Sequence, residues 1–87
     1  MSEDRRDRAR TWDPAGLADL AAIRDFVHAE AVAIGLPLEK TFDMILAVDE
    51  AATNVLVRGY HGVGGPLQVE VSTGDDMLIV RLRDSAP

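Results

Sequence analysis

The sequence predicts an α+β fold of two helices followed by a β-hairpin. Two stretches with apolar residues at helical spacing come first, and two short alternating runs joined by Gly74-Asp75-Asp76 come last. A glycine-rich segment, Gly59 to Pro66, separates the pairs. With 87 residues the chain has room for one small domain, whose limited core leaves its stability marginal.

Residues 1–11 read as a disordered charged tail, because Met1 to Arg10 interleaves four arginines with three acids and has no apolar anchor. Trp12 is the single tryptophan and is expected to pack over the start of the first helix. Asp13-Pro14 resembles an N-cap followed by proline in the first helical position, so the first helix is expected over 14–34. Leu17, Leu20, Ala21, Phe26, Val27, Ala31 and Ile34 give it an apolar face, and Gly35 stops it. His28 lies within this helix, where a lone histidine is more often a packing or surface residue than a ligand.

The second helix is expected from Leu38 to about Arg58, with Glu39 beside the positive end of its dipole. At roughly 100° per residue, Met44, Ile45, Val48, Ala52, Val55 and Leu56 form its core stripe. Asp43, Ala47, Glu50 and Asn54 lie on the opposite side, within about 60° of one another. Glu50 and Asn54 are one turn apart and project from one surface. A carboxylate can take a proton or polarise a hydroxyl. An asparagine oxygen suits Mg²⁺, which takes few protein ligands and fills its shell with phosphate oxygens and water. Spacing alone is more often the pattern of a solvated face.

Leu67 to Thr73 alternates, with Leu67, Val69 and Val71 toward the core. Met77 to Arg83 follows, with Leu78, Val80 and Leu82 inward and Arg81 and Arg83 outward. By the same parity Asp84 points inward, where a carboxylate requires a partner; the alternative is that the strand has ended and Asp84 is exposed. Two strands are too small a sheet for two helices, so the chain resembles the front part of a larger domain.

Composition narrows the partners. A formal net charge of −6 argues against nucleic acid or an anionic membrane. The absence of cysteine excludes a disulfide framework, thiolate chemistry and thiolate-bound zinc. No apolar run has the length of a membrane span and no signal peptide is visible, which sets a cytoplasmic location as the expectation.

The order of helix, helix with ILAVDEAATNVLVRGY, glycine loop, hairpin and RDSAP resembles the ATP-binding domain shared by gyrase-type topoisomerases, heat-shock chaperones, sensor histidine kinases and mismatch-repair ATPases. Within that superfamily it is most similar to the stand-alone anti-sigma-factor serine kinases of bacteria. The resemblance covers 12–87 and implies the N-terminal part of a two-layer α/β sandwich of the histidine kinase-like ATPase type. Glu50-Ala51-Ala52-Thr53-Asn54 matches the family's N-box, which implies that Asn54 ligates Mg²⁺ bridging to ATP and that Glu50 polarises the attacking hydroxyl. Gly59-Tyr60 matches the residues that close this helix; Arg58 stands where histidine is usual. Asp84 matches the acid that opens the Asp-x-Gly-x-Gly motif and recognises the adenine amino group. Ala86 replaces the first glycine of that motif, and the second lies beyond the sequence.

The resemblance thus implies a serine/threonine protein kinase that uses ATP and Mg²⁺, with a sigma factor and an anti-sigma antagonist as partners. The alternative is a non-catalytic module, or an inactive fragment, that binds one of those proteins. An open hairpin edge would leave homodimerisation available.

Overall fold

The computed structural model describes residues 6–74 and 77–86. Its elements are β1 (Arg6–Ala15), a 3₁₀ turn (Leu17–Asp19), α1 (Leu20–Ala33), α2 (Leu38–Asn54), a π-helical turn (Val55–Gly59), β2 (Gly65–Gly74) and β3 (Met77–Asp84). The strands form one antiparallel sheet in the order β1-β2-β3, so both β1 and β3 are edges. The architecture is the expected α+β type, with one more strand than the hairpin.

Strand parity builds the core. Leu67, Val69, Val71 and Thr73 of β2 are buried, as the alternation required, and Leu78 of β3 joins them. Ile23, Val27 and Ala31 of α1 and Val48 and Ala52 of α2, with Leu56 from the π turn, cover that face. Met44, Ile45 and Val55 pack around the margin, so all six residues of the second helix's stripe meet the core. The opposite sheet face is open and mixed: Arg81 and Arg83 of β3 reach Glu70 of β2 at 3.5 and 3.7 Å, with Met77 and Ile79 exposed on the same side of β3. One covered face and one open face make a two-layer molecule.

The N-terminal expectations are corrected. Residues 6–11, read as tail, belong to β1 and pair with β2 from Arg6 opposite Thr73 to Trp12 opposite Leu67; residues 1–5 lie outside the described residues. Asp13 and Pro14 do not start a helix; they lie near the end of this edge strand, at an irregularity in its pairing between Trp12 and Ala15, a position where proline is tolerated. The helical path begins after Gly16, whose N–H donates to the Asp19 carboxylate at 2.8 Å. Trp12 packs on Phe26 in the middle of α1, edge to face with ring centroids 6.4 Å apart. The turn expected at Gly74-Asp75-Asp76 has its two acids outside the described residues.

Why β1 escapes a pattern reading is visible in its side chains. Arg8 and Arg10 lie on the core-facing side, opposite Val71 and Val69. Arg8 extends to the buried Glu30 of α1 at 3.7 Å, and the Arg10 guanidinium sits 4.7 Å from the Trp12 ring centre. Their stems cover apolar surface while their heads reach a charge or a ring, so the strand shows arginines where alternation would place valines.

Candidate functional site

The site is built at the C-terminal end of α2. Val48, Ala52 and Leu56 pin one side of the helix to the sheet, and this turns Asp43, Ala47, Glu50 and Asn54 outward. Glu50 and Asn54 are both exposed on that face, one turn apart, as the spacing required. Among the described residues, neither side chain is held in a hydrogen bond or ion pair.

Asn54 is the last α-helical residue, and the chain then widens into the π turn of Val55–Gly59. The Thr53 hydroxyl donates to the Asp49 carbonyl at 2.7 Å, a back-bond that competes with the regular helical ladder just before the change of pitch. The Tyr60 N–H then reaches back five residues to the Val55 carbonyl at 2.8 Å. Such π segments recur at functional sites because they redirect the helix end without breaking it. The sequence reading carried a regular helix through to Arg58 and had no signal for this change.

Asp84 closes β3 opposite Leu67. It lies on the parity of Leu78, Val80 and Leu82, yet it is exposed, at the end of an edge strand. Both alternatives therefore hold in part: the side is the core side, and nothing among the described residues roofs it. One carboxylate oxygen, Oδ1, accepts the Ala86 N–H at 2.8 Å.

The helix end and the strand end meet through two contacts. A Cβ placed on Gly59 would lie 2.8 Å from the Cβ of Ala86, so the alanine methyl fits there only because residue 59 is glycine. The Tyr60 hydroxyl accepts the Ser85 N–H at 2.7 Å and donates to the Pro66 carbonyl at 2.6 Å. Asn54 precedes Gly59 by five residues, about 8 Å or less along the axis. Glu50, Asn54 and Asp84 thus sit on two segments joined at 59–60 and 85–86. Tyr60 was legible only as part of the motif that closes the helix; its bridging role comes from a polar tip on an apolar ring at a loop entrance.

The donor set fits the ligand chemistry expected of it. Among the described residues no three His, Asp or Glu side chains gather into a metal cluster. A Mg²⁺ held by one neutral oxygen and several phosphate oxygens does not require one, and Asn54 offers such an oxygen to solvent. Asp84 offers its second oxygen to an external donor. No helix is long and apolar enough to cross a membrane among the described residues.

Comparison with known proteins bears on the family and not on individual side chains. The family described as histidine kinase-like ATPase domain matches residues 14–87. Neither the curated proteins nor the solved structures contain a significant match.

Proposed function

The chain belongs to the histidine kinase-like ATPase domain family, and from that premise we propose that Glu50, Asn54 and Asp84 form part of a Mg-ATP site. The observation that carries the reading is the junction of the N-box helix with the Asp84 segment through Gly59–Ala86 and Tyr60–Ser85. In this reading Asn54 holds the Mg²⁺, which when bound offsets phosphate charge, and Asp84 accepts a hydrogen bond from the adenine amino group. Glu50 lies one turn from Asn54 and orients a hydroxyl toward the terminal phosphate. Phosphoryl transfer requires mainly such positioning and charge stabilisation, which suits a site made of three polar groups on two rigid elements.

The specific activity we propose is that of an anti-sigma-factor regulator: an ATP-dependent serine/threonine protein kinase acting on an anti-sigma antagonist. The resemblance of EAATN followed by Gly59-Tyr60 to the anti-sigma kinases supports it. A second reading is a non-catalytic protein-binding module. It is favoured by Leu38, Phe42 and Leu46, which recur every fourth residue on α2 with 64–69% of their surface exposed.

Calorimetric titration with Mg-ATP, with Asn54→Ala as control, tests the first reading. Saturable binding that the substitution weakens at least tenfold supports a Mg-ATP site. Equal affinity in both proteins removes Asn54 from it. Absence of binding in a folded chain favours the protein-binding module.

A further inference from the structure

Tyr60 occupies a junction that the nucleotide reading alone does not require. Its ring lies against Gly65, where an added Cβ would come within 2.6 Å of the ring. Its hydroxyl has one proton and two lone pairs. The Pro66 carbonyl can only accept, so it takes the proton at 2.6 Å, and a lone pair receives the Ser85 N–H at 2.7 Å. Three segments therefore converge on one oxygen: the end of the π turn, the start of β2 and the residue that follows β3.

That oxygen matters because of where the β-ladder stops. Asp84 opposite Leu67 is the last β3 pair, so beyond it Ser85 is no longer held by a neighbouring strand. The local bond from the Ala86 N–H to Asp84 Oδ1 shapes the turn but does not anchor it to the rest of the fold. The anchor is the Tyr60–Ser85 hydrogen bond, with Ala86 packed on Gly59 beside it. We propose that Tyr60 is a positioning residue for base selection: its hydroxyl fixes the Ser85 backbone and so aims the Asp84 carboxylate at a purine amino group. This inference rests on the Mg-ATP reading above. Tyr60 itself touches no nucleotide in it.

The test separates base recognition from phosphate recognition. Adenine presents an exocyclic amino donor, whereas inosine presents a carbonyl at that position, so the ratio of Mg-ATP to Mg-ITP affinity reports the aim of Asp84. Tyr60→Phe keeps the ring on Gly65 and removes only the hydroxyl. We expect it to lower ATP affinity about fivefold, the worth of one hydrogen bond, with ITP affinity unchanged. Ser85→Pro removes the donor from the other side and leaves the Tyr60–Pro66 bond in place; the extended Asp84 suits a following proline. It should give the same loss, and the double variant should lose no more than either single one. A tyrosine with a merely structural role would weaken both nucleotides alike, or neither, and either result overturns the proposal. Should Tyr60→Phe fail to fold by circular dichroism, Ser85→Pro carries the test. Failure of the parent reading shows separately, as a wild-type chain that binds neither nucleotide.

Discussion

Arg24 of α1 and Asp49 of α2 are joined across the helix pair by an ion pair of 2.7 Å. Asp49 immediately precedes Glu50, and its carbonyl also receives the Thr53 hydroxyl. The pair therefore links α1 to α2 beside the turn that carries the candidate catalytic carboxylate. Both side chains remain between a third and a half exposed, so solvent screening limits its energy. Arg24→Ala should lower stability by no more than about 1 kcal/mol. Urea unfolding at low and high salt checks this: the difference between wild type and variant should shrink as salt rises.

Glu50 and Asn54 make separable contributions if the proposed roles hold. Glu50→Gln should leave Mg-ATP affinity within twofold of wild type, because the carboxylate serves the attacking hydroxyl and not the metal. ADP release in the presence of the antagonist protein should fall by roughly 10²-fold or more, the usual contribution of a positioned acid–base group. A variant that loses affinity and turnover in parallel would place Glu50 among the nucleotide-binding groups instead.

Gly65 faces a ring held at its hydroxyl from two sides, so the ring cannot swing aside freely. Gly65→Ala should therefore cost about 1–3 kcal/mol through overpacking, and the near-ultraviolet signal of Tyr60 should change with it. Gly74, whose added Cβ would meet nothing within 4 Å, serves as the control for the same substitution.

Removal of residues 1–11 distinguishes a strand from a tail. A solvated tail could be cut with little consequence. The sheet, however, places residues 6–11 against β2, with Arg8 reaching the buried Glu30. The shortened chain should lose cooperative thermal unfolding, because β2 would become an unprotected edge and Glu30 would lose its ion pair with Arg8.

Leu67 is fully buried and stands opposite Asp84 in the ladder. Leu67→Ala should destabilise the fold by about 2–5 kcal/mol, read as a lower denaturation midpoint with an unchanged slope.

Much of this molecule was legible in the sequence because it follows local periodicity. The six-residue stripe of α2 places Glu50 and Asn54 on the outer face, and the alternation of β2 and β3 assigns Leu67, Val69, Val71 and Leu78 to the core. These assignments depend only on where side chains point along a helix or strand. Family resemblance added what periodicity lacks, the chemical roles proposed for Glu50, Asn54 and Asp84.

Tertiary structure decided the rest. Arg6 to Trp12 form a strand because β2, some 60 residues later, offers an open row of backbone donors and acceptors; no local pattern in RDRARTW announces that pairing. Asp13-Pro14 has the composition of a helix start, yet it lies within β1, at the irregularity between the pairs Trp12–Leu67 and Ala15–Gly65. The exposure of Asp84 and the convergence of Tyr60 on Ser85 likewise arise between segments 25 residues apart. Periodicity determines which side of an element faces inward, whereas pairing across long sequence separation determines which elements exist and where they meet.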